Sequence, residues 1–240
     1  MAGFAVHLVT AAVVGGVGVT TLLAVGAVTP ATAWIGFAAT MLGGVLPDID
    51  ADDSIFLDVA FTVLALVGSF LLMFSQVERY AIAELVVLWM MAFLFVKFAV
   101  YELFVRFTTH RGIFHSVPAG LFFAGLTAAG MIHLFHHPEQ RAWLIGLFVL
   151  MGYWVHLLLD ELYSLRLLAA SDGATSLGSA FKWFAPDGWA TSAMYLALVL
   201  VYYWTPSPLP TLRELFAPAL FEAVQTRWWP AGPWFGIPYF

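Results

Sequence analysis

The chain has no cysteine among its 240 residues. A disulfide framework and a thiolate metal site are therefore both excluded, and any metal must be held by imidazole and carboxylate. Charge is scarce too: Asp, Glu, Lys and Arg make up 10% of the sequence, without a basic tract. That argues against a nucleic-acid partner. The net charge of −6 comes partly from acidic residues beside apolar runs. No hydrophilic stretch is long enough for a second core, and no internal repeat is visible. The opening MAGFAVHLVT lacks the positive segment of a signal peptide, so it reads as an uncleaved first span.

What the chain does contain is apolar: 62% of its residues are hydrophobic and the mean hydropathy is +0.91. A bilayer core of about 30 Å needs about 20 apolar residues per helix. Seven runs approach or exceed that length, at residues 4–28, 31–46, 55–74, 81–105, 117–135, 142–163 and 189–204. The second and seventh are short enough to be re-entrant. Turn chemistry separates the runs: Thr29-Pro30, Pro47-Asp48, His137-Pro138 and the Gly/Ser-rich 171–179. The expectation is an all-α, polytopic integral membrane protein with about seven transmembrane or re-entrant helices. Residues 1–204 form the membrane domain. Residues 205–240 form a Pro- and Trp-rich tail, whose prolines forbid one long helix and whose tryptophans suit the headgroup level.

Against that background the polar chemistry is concentrated. If seven helices cross in turn, LPDID (46–50), THRGIFHS (109–116) and HLLLDELYS (156–164) emerge on the side of the N-terminus. In HLLLD, His156 and Asp160 are four apart and share a helical face, a workable spacing for two ligands on one metal. Ionisable residues in a span usually face a partner or a cavity. Asp160 lies about four residues, roughly 6 Å, from the end of its run. In LPDID, Pro47 biases the chain out of helix, and in an extended segment Asp48 and Asp50 would point the same way. Asp58, one turn into the next helix, could support them, while Asp52 and Asp53 read as a solvated loop or a cap. In THRGIFHS, Gly112 would let the backbone turn so that His110 and His115 both reach inward, while the Arg111 guanidinium suits a phosphate or carboxylate oxygen. Two histidines at that spacing are a weak signal alone. Three such clusters on one side are a strong one. HLFHHP supplies His133, His136 and His137, but on the opposite side, so these read as interfacial.

LPDID, HRGxxHS and HxxxD, in that order between apolar spans, resemble the YdjM-like family, described as LexA-regulated, membrane-bound metal-dependent hydrolases. The resemblance runs from the first helix to about Lys182 and leaves the tail uncovered. It implies that His7, Asp48, Asp50, His110, His115, His156 and Asp160 form the metal site. Two departures stand out: Phe114 replaces the threonine of the HRGxTHS that many members carry, and Ala51 replaces a histidine that often follows LPDID. Neither removes a ligand. Asp160–Ser164 and Gly178–Lys182 match one branch of the family closely.

Seven candidate ligands exceed the four protein groups of a tetrahedral zinc site, so two divalent ions sharing carboxylates are expected. Imidazole and carboxylate suit zinc, manganese or iron alike. Glu102 and Glu161 border the clusters as catalytic candidates, though each reads more readily as a structural partner. Arg111 is expected to act in catalysis and, with Lys182 and Ser116, in substrate binding. The reading is a hydrolase of a membrane-lipid or lipid-linked phosphoester, multi-pass in the cell (inner) membrane, with no nucleic-acid partner. A lipid amidase, or a divalent-metal transporter or sensor, are the alternatives. Arg106, Arg111, Arg166 and Lys182 lie on the motif side, with Lys97 in reach, against Arg79, Arg141, Arg213 and Arg227 opposite. The positive-inside rule thus narrowly favours a cytoplasmic motif side.

Overall fold

Helix α1 (Phe4–Ala24) buries His7, Ala11, Gly15 and Val19, a line of residues four apart, and exposes Val9, Val13 and Val17. Small residues inside and aliphatic ones outside reverse the pattern of a water-soluble helix. In lipid it is the favourable one, because small residues let helices approach while side chains of hydrocarbon meet hydrocarbon. In this computed structural model, residues 4–50, 54–76, 80, 82–107, 113–169, 181–186 and 188–229 are described, almost all of them helical and none in a strand.

A left-handed turn at Gly26 (φ 73°) follows α1. Thr29 then caps α2 (Pro30–Gly43), its hydroxyl accepting from Thr32 N at 3.3 Å, with proline in the first helical turn where no hydrogen bond is lost. The expected run to residue 46 stops early, and Leu46–Asp50 forms a 3₁₀ turn around Pro47. The sequence then enters a long hairpin. One arm is α3 (Ser54–Ser75). The other is α4 (Ile82–Leu94), a π segment (Phe95–Val100) and α5 (Tyr101–Phe107), which form one rod. Ser116 caps α6 (Val117–His133), which is followed by α7 (Glu139–Ala169) and α8 (Gly188–Trp204). Three stretches are long and apolar enough to cross a membrane among the described residues: Phe4–Ala24, Glu84–Phe104 and Glu139–Ser164.

Helix α7 is the hub, packing against α1, α2 and α6, while α8 packs on α6. The core gathers Val19, Ala33, Ala39, Ile145, Phe148 and Val149. Two glycines bring α2 and α7 into backbone contact: a Cβ on Gly152 would stand 2.0 Å from the Thr40 carbonyl oxygen, and one on Gly43 would stand 2.1 Å from that of Val149. The prolines after α8 leave two short helices, α9 (Leu209–Leu215) and α10 (Pro218–Trp228). They attach where α1 ends and α7 begins: Trp143 Nε1 donates to Pro206 O at 2.6 Å and Arg227 Nε to Ala24 O at 3.4 Å.

Candidate metal centre

Four separate segments deliver donors to one end of the bundle. His7 lies at the start of α1, Asp48 in the 3₁₀ turn after α2, and His115 just before α6. His156 and Asp160 are one turn apart on α7, as their spacing predicts. All five are sheltered: relative exposure is 1% for His7, 4% for His115, 0% for His156, 7% for Asp160 and 19% for Asp48.

The distances are informative. His7 Nε2 is 3.3 Å from Asp160 Oδ1, and His156 Nε2 is 3.4 Å from Asp48 Oδ1 and 3.7 Å from Asp160 Oδ2. His115 Nε2 is 3.6 Å from Asp48 Oδ1 and 3.9 Å from Asp160 Oδ2. These are long for hydrogen bonds, which fall near 2.7–3.2 Å. They are close to the separation of ligands around one ion: two donors each about 2.0–2.1 Å from zinc at the tetrahedral angle stand about 3.4 Å apart. The rings of His7 and His156 stack with centroids 3.7 Å apart, and those of His115 and His156 meet edge to face at 5.6 Å. Two overlapping donor groups result, His7–His156–Asp160 and Asp48–His115–His156.

Backbone chemistry fixes the shared histidine. His156 Nδ1 lies 2.8 Å from Gly44 O. A carbonyl only accepts, so Nδ1 carries the proton and Nε2 presents its lone pair to the cluster, the arrangement seen in metal-ligating histidines. His156 Nε2 and Asp160 Oδ1 are buried and lack a hydrogen-bond partner among the described residues. Such orphaned atoms are costly unless something else satisfies them. Burial alone would raise the Asp48 carboxyl. The facing imidazoles of His115, His156 and His7 more than offset this and hold it below the usual carboxylate range, so it is ionised as a ligand must be. One buried and one partly buried carboxylate among three buried imidazoles form a donor set that a divalent cation would complete. The residues fit the metal.

The loop that carries His115 is pinned from two sides. Tyr153, fully buried on α7, donates its hydroxyl to Phe114 O, and Ser116 donates to Ile113 O while accepting from Ala119 N at 3.4 Å. Ser116, a candidate substrate contact, is fully buried, with its hydroxyl engaged in shaping the loop and capping α6. Lys182 sits beside the same loop, where its carbonyl accepts from Val117 N at 3.0 Å. Glu102 and Glu161 stay outside both donor groups: Glu102 is exposed on α5, and Glu161 is turned about 100° around α7 from Asp160.

Two local readings are corrected. The segment after Pro47 is a 3₁₀ turn, in which positions two apart do not share a face, so an extended chain does not align Asp48 with Asp50. Asp58 supports Lys97 rather than the cluster, with Nζ 2.5 Å from its carboxylate. His110, Arg111 and the turn expected at Gly112 lie outside the described residues, as does the Asp50 side chain. His133, on the opposite end of α6, bonds Trp204 O at 2.9 Å, away from the cluster as expected. Local motifs did not reveal the Gly44 carbonyl or Tyr153. The only signal for Tyr153 is its position one turn before His156 on an apolar helix.

Apolar helices with a buried His/Asp donor cluster define an integral membrane protein with a candidate metal site. The chain belongs to the YdjM inner membrane protein family, whose family model matches residues 1–228, reaching well into the tail. No curated protein and no solved structure matches the chain.

Proposed function

We propose that this protein is a membrane-embedded, metal-dependent hydrolase that cleaves a phosphoester of a membrane lipid or lipid-linked substrate. In this reading the chain crosses the membrane seven times and its site lies at the cytoplasmic face. The observation that carries the proposal is the convergence of His7, Asp48, His115, His156 and Asp160 from four segments, with His156 Nε2 and Asp160 Oδ1 left without a hydrogen-bond partner among the described residues.

A divalent ion bound there supplies Lewis acidity and a water acidic enough to attack at neutral pH. The chain's own residues supply the rest. His156 has one available nitrogen, because Gly44 occupies the other, so it serves a single ion. The described donors therefore suffice for one ion, and Asp50 and His110 are proposed to complete a second. Arg111 is proposed to hold the phosphate through its planar fork. The donors gather at one end of the bundle, whereas transporter sites lie near the midplane, which favours a hydrolase over a transporter.

The test combines elemental analysis with lipid turnover by the purified protein. About two transition-metal ions per chain are expected, on the donor arithmetic above. His156→Ala should lose metal and abolish release of a head group or phosphate from bilayer lipid, while the protein stays folded in detergent. Arg111→Ala should keep its metal and slow turnover by about 100- to 1000-fold, as lost oxyanion donors do; an undiminished rate would point to a lipid amide instead. Protein that binds no metal after reconstitution, or His156→Ala protein that still turns over lipid, would overturn the proposal.

A further inference from the structure

The α3–α5 hairpin and the rest of the bundle do not close against each other completely. Between them runs an apolar cavity of about 370 Å³, lined by Leu103 and Phe104 of α5, Phe114 of the motif loop, Phe122 of α6, and Ala193 and Met194 of α8. The volume falls within the range of about 300–1,000 Å³ typical of small-molecule sites. Its lining is almost wholly hydrocarbon, so a polar ligand would be poorly served there.

Its position is more telling than its size. Phe114, which forms part of the wall, is followed directly by His115 of the metal cluster and is held by the Tyr153 hydroxyl one turn before His156. Met194 packs with Ile113, Tyr153 and Leu157, so the same core supports the groove and the donor helix. The groove also has a direction. Its α8 wall begins at Trp189, in the first turn of the helix, and continues to Ala197, about 12 Å along the axis at 1.5 Å per residue. Its α5 wall lies in the candidate span Glu84–Phe104, at the end nearest the motif loop. The groove therefore starts beside the donors and runs away from them along the helices, as a lipid chain does below its head group.

We propose that this groove holds the upper part of an acyl chain of the substrate lipid, placing the head-group bond at the His/Asp cluster. The assignment rests on the hydrolase reading and deepens it: the site would select lipids by their chain as well as by their head group. Phe104 and Phe114, whose rings are 5.1 Å apart, form the aromatic end of the groove nearest the site, and Ala193 keeps its floor low enough for a chain.

Two measurements test it. First, the unaltered chain is reconstituted with a phospholipid bearing a diazirine on its acyl chain, irradiated, and mapped by mass spectrometry. Labelling should concentrate on segments 100–104 and 189–197, and should persist in His156→Ala, which needs no turnover. Labelling spread evenly over the lipid-exposed face of α1, at Val9, Val13 and Val17, would show ordinary surrounding lipid and overturn the groove. Second, Ala193→Trp fills the floor. It should slow turnover of long-chain bilayer lipid about tenfold or more, while turnover of a short-chain analogue and metal content stay unchanged and report an intact fold. If Ala193→Trp disrupts folding, the labelling pattern of the unaltered chain decides. Long-chain turnover unaffected by the filled groove overturns this inference alone. Absence of any lipid turnover by the unaltered, metal-loaded protein overturns the hydrolase reading and the substrate assignment with it.

Discussion

The bundle of α1, α2, α6, α7 and α8 and the hairpin of α3–α5 are built from equally apolar sequence but are held together differently. In the bundle, helices touch backbone to backbone: Gly152 on Thr40 and Gly43 on Val149 leave no room for a methyl group. In the hairpin, contact is made by large side chains and a charge: Phe61 packs on Tyr101 and Phe104, and Lys97 Nζ reaches Asp58 O at 3.2 Å and Thr62 Oγ1 at 2.6 Å. The described donors all belong to the bundle and its loops. The difference matches the roles proposed for the two regions. Ligands must be fixed within fractions of an ångström, which rigid backbone contact provides. A wall that admits a lipid chain needs no such precision.

The sharpest way to break this comparison is at Gly152. Its helix carries His156 one turn later, and the carbonyl that orients His156 belongs to Gly44, at the end of the helix Gly152 touches. Gly152→Leu forces α2 and α7 apart, so its effect should exceed the roughly 1–3 kcal/mol typical of core overpacking. The expected outcome is protein that no longer retains metal and that unfolds at markedly lower temperature in detergent. Native-like metal content in Gly152→Leu would show that close helix approach does not position the site.

Much of the site is legible in the sequence. His156 and Asp160 could be paired because helix periodicity alone sets their common face. Alternation of apolar runs placed the LPDID, THRGIFHS and HLLLD segments on one side, and Asp48, His115, His156 and Asp160 do meet. His7 could not be read this way: a lone histidine in an apolar helix has no local pattern, and only its resemblance to the family singled it out. The Gly44 carbonyl was invisible for a different reason, since a backbone acceptor has no side-chain signature and its partner is 112 residues away. The tighter turn after Pro47 was missed because proline fixes φ without choosing between extended and 3₁₀ backbone. Likewise, nothing in FVKFAV announces a π segment, and Asp58 was read toward the motif because its partner, Lys97, lies on another helix.

A smaller effect is expected at that ion pair. Lys97 sits in the π segment and is mostly buried, whereas Asp58 is more than half exposed. Lys97→Met keeps the stem and removes the charge. Because the Asp58 carboxylate can turn to water or head groups, the loss should be about 1 kcal/mol or less in unfolding measurements. Metal content should be unchanged, since the hairpin supplies none of the described donors. Loss of metal in Lys97→Met would mean that the hairpin also organises the centre, and the division drawn here would fail.

The smallest effect is predicted at Gly68, the hairpin's counterpart to Gly152. Both are glycines inside long helices of a membrane chain, so sequence alone treats them alike. Among the described residues, a Cβ on Gly68 meets nothing within 4 Å, whereas one on Gly152 would sit on backbone oxygen. Glycine in a helix interior is less favourable than alanine by about 0.8–1.0 kcal/mol. With no clash to oppose that gain, Gly68→Ala should leave metal content and turnover untouched and raise the unfolding temperature slightly or not at all. Measured in detergent and in lipid nanodiscs, the variant also reports what lies against this face of α3. If the face meets only lipid, the outcome is the same in both media. Destabilisation of Gly68→Ala in either medium would show a close protein neighbour on α3, and the hairpin would then be a packed element like the bundle rather than a loosely held wall.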